Sequence, residues 1–213
     1  MLIDALARSE GIDVRKLEKS AAVGRGEVAG RKVLLAKPVT FMVGGARAAA
    51  RDGRRRCRPR DGSWGARGTG SAARPPPAAG PSLGAGGLPY LNNSGDSVVA
   101  LAKYYKVPLS RCLVVSDDLD SPTATVRLKQ RGGHGGHNGL RSIIERFGGK
   151  SDFPRLKIGI GRPTGNLDVA SYVLQDFRQS EMAEVDDAIR ESIAIIHSIL
   201  TLGLEKALSG SRV

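Results

Sequence analysis

The sequence predicts an α/β fold, and three observations carry this prediction. Short apolar runs typical of buried strands occupy residues 32–36, 112–115 and 156–161. Between and after them lie segments whose apolar residues recur every three to four positions, which is typical of amphipathic helices. Because helical and strand patterns alternate along the chain, they favour an α/β sandwich.

The N-terminal part is predicted to hold one helix and one strand. Residues 1–8 read as the end of an amphipathic helix that stops at Gly11. Residues 12–29 are polar and are expected to be irregular or to form a strand edge. The buried strand at residues 32–36 follows, and residues 40–42 are expected to form a loop.

Composition changes sharply at residues 43–91. Gly 11, Ala 10, Arg 9 and Pro 6 account for 36 of these 49 residues. Neither a strand period nor a helical period runs through them, so they are predicted to be a low-complexity, disordered insertion. Two alternatives to a disordered insertion remain for residues 43–91. They could form an arginine-rich arm that binds RNA, or they could be a segment that does not belong to the native protein.

Helix and strand patterns resume after this stretch. Residues 92–97 combine turn and helix-capping residues, and the apolar positions behind them predict a helix that ends before Pro108. An alternating strand is expected at residues 125–130, and the longest amphipathic helix at residues 182–200. His197 on that helix is interpreted as a surface residue, because only acids recur beside it at helical spacing.

The most informative stretch is residues 116–139. Three aspartates stand where the buried strand ends, at the edge where α/β sheets bind ligands: Asp117, Asp118 and Asp120. The glycine-rich loop RGGHGGHNG then lets a backbone approach a bound group closely. Asn138 is expected to cap the next helix or to meet an anion there. An ordinary flexible turn with surface histidines is the alternative, because glycine-rich loops punctuate many turns.

Composition limits the classes of function. The net charge is +12 and the pI about 10.2, which suggests a polyanionic partner, but residues 43–91 contribute +7 of that charge. Cys57 and Cys112 support neither a disulfide framework nor a zinc site. The loop GGHGG lacks the spacing of nucleotide-binding motifs. No apolar run is long enough for a membrane span, and no targeting segment is visible.

Several motifs, in this order, resemble a known family. They are KPVTFM, NNSGDSV, YYKVP, LVVSDDLD, RLKQRGGHGGHNGLRSII and FPRLKIGIGRP. Together they are similar to the bacterial and organellar type of peptidyl-tRNA hydrolase, with the plant organellar branch the most alike. The resemblance covers nearly everything outside residues 43–91.

The resemblance implies a monomeric three-layer α/β/α domain with a mixed twisted sheet, formed by residues 1–42 and 92–213. It implies hydrolysis of the ester that joins a peptide to the terminal ribose of tRNA, without metal or cofactor. Water attacks the ester carbonyl with help from a histidine base. A chloroplast or a mitochondrion is the implied compartment.

The resemblance also implies roles for particular residues. Asp117 corresponds to the carboxylate that orients the base histidine. Residues that contact the substrate or the tRNA end are Phe41, Asn92, His137 and Asn138. Phosphate contacts are expected at Arg127, Lys129, Arg155 and Lys157, although solvated strand faces explain these four cations equally well.

Two departures from the family pattern bear on activity. The family opens with a strand and a T-R-H-N element that this sequence does not contain, so the first central strand and the base histidine are missing. Neither His134 nor His137 is an obvious substitute. The low-complexity stretch separates TFM from NNSG, which the family joins directly. The chain as it stands is therefore expected to be inactive or barely active.

Two alternatives stay open. A non-catalytic RNA-binding protein on the same fold, such as an organellar splicing-factor partner, needs no histidine base. A chain without its central strand also leaves backbone groups of neighbouring strands unpaired, which predicts weak folding.

Overall fold

The computed structural model describes residues 1–39, 94–163 and 168–210, and these residues belong to one compact unit. The predicted loop at 40–42 and the predicted insertion at 43–91 lie outside them. Six α-helices are described, besides a short 3-10 helix at Leu109–Arg111: α1 (Leu2–Ser9), α2 (Ser94–Tyr104), α3 (Asn138–Arg146), α4 (Val169–Tyr172), α5 (Met182–Leu202) and α6 (Leu204–Gly210). Six strands are described: β1 (Lys16–Glu18), β2 (Ala21–Val28), β3 (Arg31–Pro38), β4 (Val114–Asp118), β5 (Val126–Lys129) and β6 (Arg155–Gly159).

The strands form two three-stranded sheets. The first is antiparallel in the order β1-β2-β3, and the second has the order β4-β6-β5. In the second sheet β4 runs parallel to β6 and β5 runs antiparallel to it, so this sheet is mixed. The predicted α/β class and mixed sheet are confirmed, although the described strands are divided between two sheets instead of forming one.

The helices cover the sheets in two layers. Helices α1 and α5 pack with Val28 and Leu35 of the first sheet and with Leu156 of the second. On the opposite side, α3 packs against Phe153 and Val114. In a third cluster, Leu101 of α2 packs with Ala21 and Val23 of β2. Apolar side chains therefore meet helices on both faces of the strands, as a three-layer α/β/α arrangement requires.

The predicted long helix is confirmed in α5. Its buried positions are three and four residues apart: Val185, Ala188, Ser192 and Ile196. His197 on this helix, predicted to be a surface residue, is half-buried beside the end of α1, with its Nε2 3.1 Å from a carboxylate oxygen of Glu10. This pair links α5 to the end of α1.

Two predictions of secondary structure are corrected. The polar stretch at residues 12–29, predicted to be irregular or a strand edge, contains β1 at the edge of the first sheet and β2 at its centre. Gly24 and Gly26 of β2 leave room for Ile12 to lie across the strand. The strand expected at residues 112–115 is β4, which begins two residues later and ends three residues later than predicted. Asp117 and Asp118 therefore end the strand instead of following it, since their backbones pair with β6.

Within the described ranges, no helix is both long enough and apolar enough to cross a membrane.

Candidate active site

The glycine-rich loop between β5 and α3 folds into a tight turn. The amide of His137 donates to the carbonyl of His134 at 3.0 Å, and the amide of Gly136 donates to Nδ1 of His134 at 3.1 Å. Gly135 and Gly136 have φ values of 55° and 79°. Residues with a side chain rarely adopt this left-handed conformation, so the turn depends on glycine at these two positions.

The turn delivers His137 to the N-terminus of α3. Its Nδ1 accepts a hydrogen bond from the amide of Leu140 at 3.2 Å, which makes His137 the N-cap of the helix. Asn138 is the first helical residue, so the expectation that Asn138 caps the helix is corrected. The ring of His137 fits here because residue 139 is glycine: a Cβ at that position would lie 2.9 Å from Cε1 of His137.

His137 also contacts Asp117 at the end of β4. Its Nε2 lies 2.9 Å from Oδ1 of Asp117, and the two side chains are 24% and 42% exposed. Because Nδ1 of His137 accepts the Leu140 amide, Nε2 is the ring nitrogen that donates to the carboxylate of Asp117 in this arrangement. This hydrogen bond lowers the pKa of Asp117 below its usual value, and burial opposes the shift only in part.

This geometry separates two possible roles of His137. A general base needs a free lone pair in reach of the proton that it removes. Both ring nitrogens of His137 are engaged, one as acceptor and one as donor. In this arrangement His137 caps α3 and contacts Asp117, and neither ring nitrogen has a free lone pair.

The neighbouring Asp118 is enclosed in a separate network. Lys157 donates to its Oδ1 at 2.8 Å and Ser121 donates to its Oδ2 at 2.7 Å. Burial alone raises the pKa of Asp118, but the hydrogen bonds from Lys157 and Ser121 hold it below its usual value. Asp120 forms an exposed ion pair with Arg162. Of the three predicted aspartates, only Asp117 faces the glycine-rich loop through a contact with His137.

The four cations expected to contact phosphates lie on one face of the second sheet. Arg127 is paired in register with Lys157, and Lys129 with Arg155. Arg127 and Lys129 are exposed. Lys157 is already paired with Asp118.

Arg155 requires a correction. Arg155 is only 1% exposed, and its guanidinium donates to the carbonyls of Gly133 and Ser151. A buried guanidinium that is engaged with the backbone is not available to a phosphate, so Arg155 is removed from the expected phosphate surface.

The structure brings together only part of the predicted site. Asp117, His137 and Asn138 lie around the turn, whereas Phe41 and Asn92 are outside the described residues. The capping role of His137 was not predicted, because histidine is not a usual N-cap residue. The Lys157–Asp118 ion pair was not predicted either, and the opposite charges of the two residues were the only sign of it in the sequence.

Comparison with known proteins identifies the family. The sequence model of the family described as Peptidyl-tRNA hydrolase matches residues 85–212. The chain is 36% identical to the chloroplastic peptidyl-tRNA hydrolase of Arabidopsis thaliana and 35% identical to a mitochondrial one of Oryza sativa, over 97% of its length in both cases. It is 29% identical, over 98% of its length, to a chloroplastic group IIB intron splicing facilitator of Arabidopsis thaliana.

The chain spans 54%, 63% and 66% of the lengths of these three relatives. A crystal structure of peptidyl-tRNA hydrolase from Acinetobacter baumannii matches with a TM-score of 0.70 and 26% identity, covering 100% of this chain and 83% of that one. The motifs around Asp117 and the glycine-rich turn, the family match over more than half of the sequence and the shared fold lead to one conclusion: the chain belongs to the peptidyl-tRNA hydrolase family.

Proposed function

We propose that this protein binds peptidyl-tRNA and hydrolyses the ester between the peptide and the tRNA. Family membership supports the reaction class. The single observation that carries the proposal is the contact between His137 and Asp117, because it presents an oriented carboxylate at the end of a parallel strand. Ligands of α/β sheets bind at this edge.

Asp117 is proposed to orient a base and not to act as one. Its lowered pKa makes it a weak proton acceptor at neutral pH, as a carboxylate with an unperturbed pKa near 3.9 already is. A carboxylate beside an imidazole instead fixes the orientation of the ring and stabilises the imidazolium that forms when the imidazole accepts a proton.

The chain has three histidines, and their contacts leave the base unassigned. His137 uses both nitrogens, and His197 pairs with Glu10. His134 accepts the Gly136 amide and has no described contact with Asp117. We therefore propose that these 213 residues bind substrate but hydrolyse it slowly.

Chemical rescue tests this proposal. The 213-residue protein is incubated with an N-acetylaminoacyl-tRNA, and release of free tRNA is measured with and without added imidazole. We expect slow hydrolysis that imidazole accelerates in a saturable way. Asp117→Asn should abolish the acceleration, whereas Asp120→Asn, which changes an exposed aspartate of the same segment, should keep it.

The outcomes separate the parts of the proposal. Rapid hydrolysis without imidazole would mean that the chain supplies its own base. Equal acceleration in Asp117→Asn would remove the orienting role of Asp117. No ester cleavage under any condition would count against hydrolysis as the function of this site.

The tRNA surface is proposed to include the exposed cations Arg127 and Lys129 on β5, with Asn138, His137, Phe41 and Asn92 near the acceptor end. Each phosphate contact that is lost should reduce the slope of log affinity against log salt by about 1. Arg127→Gln and Lys129→Gln should therefore each weaken tRNA binding and flatten this slope. Arg190→Gln, which changes an exposed arginine of α5, should leave the slope unchanged.

The alternative function is RNA binding without catalysis, and one observation favours it. The relatives include proteins named as chloroplastic intron splicing facilitators. A protein of this class would bind a group II intron RNA, alone or with a protein partner, more tightly than tRNA, and imidazole would not induce ester cleavage. Competition between the two RNAs in one binding assay distinguishes the functions.

The domain organisation, oligomeric state and location follow as proposals. Residues 1–42 and 92–213 are proposed to form one monomeric domain, and residues 43–91 to be dispensable for it. A protein in which Met42 is joined to Asn92 should keep its thermal stability and its tRNA affinity. The chloroplastic and mitochondrial relatives support an organellar location.

A further inference from the structure

We propose that Arg155 is a positioning residue, whose buried guanidinium fixes the glycine-rich turn and thereby holds His137 against Asp117. This inference rests on the proposed function, since it assigns a role within the same site. Arg155 itself does not touch the reacting atoms.

The guanidinium joins two loops in the interior. Nη1 donates to the carbonyl of Gly133 at 3.0 Å, and Nη2 donates to the carbonyl of Ser151 at 3.2 Å. The guanidinium carbon lies 4.2 Å from the centre of the Phe153 ring, which provides a cation–π contact. Arg155 is 1% exposed, so its side chain contacts the glycine-rich loop from the interior of the protein.

The charge of Arg155 has no acidic partner among the described residues. Two carbonyls and an aromatic ring hold it, and its buried Nε has no hydrogen-bond partner there. Burying a charge without a counterion is unfavourable, and apolar residues often stabilise such a position better. Stability alone therefore does not account for arginine here, whereas the need to hold two carbonyls at fixed positions does.

A short path connects this anchor to the candidate site. Gly133 is followed by the turn in which His134 accepts the amide of His137. His137 then caps α3 and donates to Asp117. Because Gly135 and Gly136 lie between these points, the turn has little stiffness of its own, and an anchor at Gly133 restricts where His137 can go.

The planar fork of arginine suits this task, and lysine does not. Two guanidinium nitrogens reach two separate carbonyls at once, whereas a lysine ammonium is a single point donor on a flexible stem. The space around the anchor is also limited, since a Cβ at residue 132 would lie 2.9 Å from Nη1 of Arg155.

Two neighbouring glycines provide a matched test in the full chain. In Gly132→Ala the new Cβ would lie 2.9 Å from Nη1 of Arg155 and would displace the guanidinium. In Gly133→Ala the new Cβ would meet nothing within 4 Å. Arg155→Lys is the direct variant. The readouts are the tautomer of His137, measured by long-range proton–nitrogen correlation of the imidazole, and the hydrogen exchange of the Leu140 amide that His137 caps.

In the protein without substitutions and in Gly133→Ala, we expect His137 to show a single tautomer with the proton on Nε2. Gly132→Ala and Arg155→Lys should show a mixture of tautomers, with exchange of the Leu140 amide faster by about tenfold. A merely structural role would lower the melting temperature without changing the tautomer.

The proposal is overturned if either variant is folded by far-ultraviolet circular dichroism and His137 keeps its single tautomer with unchanged Leu140 exchange. If Arg155→Lys does not fold, Gly132→Ala decides. Both readouts use free protein, so a failure to cleave peptidyl-tRNA leaves this result intact and bears only on the proposed function.

Discussion

Replacing His137 removes two hydrogen bonds, and two different replacements separate their contributions. Alanine loses both the cap on the Leu140 amide and the contact with Asp117. Asparagine is among the best N-cap residues, so it keeps a cap, but it is too short to reach Asp117. The difference in unfolding free energy between the two variants therefore measures the cap. The destabilisation that His137→Asn still shows measures the contact with the carboxylate of Asp117.

The magnitudes follow from the exposure of the pair. Loss of an N-cap costs about 1 kcal/mol of unfolding free energy. A hydrogen bond to a charged group contributes about 1.5–3 kcal/mol when buried. The Asp117 side chain is 42% exposed, so water screens the bond and we reduce its contribution to about 1 kcal/mol. We expect destabilisation of about 2 kcal/mol for His137→Ala and about 1 kcal/mol for His137→Asn.

Urea unfolding at neutral pH measures both values, and a double-mutant cycle with Asp117→Ala isolates the pair. We expect a coupling energy of about 1 kcal/mol. Because the folded pKa of Asp117 is depressed, its contribution is present above the unfolded pKa near 3.9 and is lost as pH falls through the folded pKa. The coupling should therefore fade in acid.

Two results would refute this reasoning. Equal destabilisation by alanine and asparagine would mean that the ring of His137 does not cap α3. A coupling energy indistinguishable from zero at neutral pH would mean that the contact with Asp117 does not contribute in solution.

Three further predictions concern stability. Lys157→Met should destabilise the protein by about 3 kcal/mol at neutral pH, because it leaves the 8% exposed Asp118 carboxylate without its cation. The depressed pKa of Asp118 means that this loss shrinks as pH falls through the folded pKa, which urea titrations at several pH values would reveal. Gly159→Ala should destabilise by about 3 kcal/mol or more, since the new Cβ would overlap the backbone carbonyl of Pro122. Gly95→Ala should lower the melting temperature because its Cβ would overlap the backbone of α3, whereas Gly210→Ala, which meets nothing within 4 Å, should not.

Periodicity predicted the elements in which packing follows the residue pattern. The apolar positions of α5 recur at helical spacing, and three of them, Val185, Ala188 and Ile196, are buried in the structure. The strand at β6 was also predicted, because Leu156 and Ile158 alternate with polar residues and glycine ends the run. In these segments one face is buried over the whole length, so burial leaves a regular trace in the sequence.

Elsewhere the pattern failed for identifiable reasons. Residues 12–29 were predicted to be irregular or a strand edge, whereas β2 is the central strand of its sheet, because glycines occupy the positions over which Ile12 packs and remove the alternation. The end of β4 was placed too early, because Asp117 and Asp118 are polar while their backbones still pair with β6. The partner of β4 follows much later in the chain, so the local pattern does not mark where β4 ends.

The sequence by itself determined the family, the α/β class and the segment in which the candidate site lies, because these depend on motifs and local periodicity. Only the tertiary structure decided which charges are available. In it Asp118 is paired with Lys157, and Arg155 is buried next to the glycine-rich loop. Both ring nitrogens of His137 make hydrogen bonds. The physical reason is that burial and hydrogen-bond partners depend on which strands and loops meet in space, and residue spacing along one chain does not contain this information.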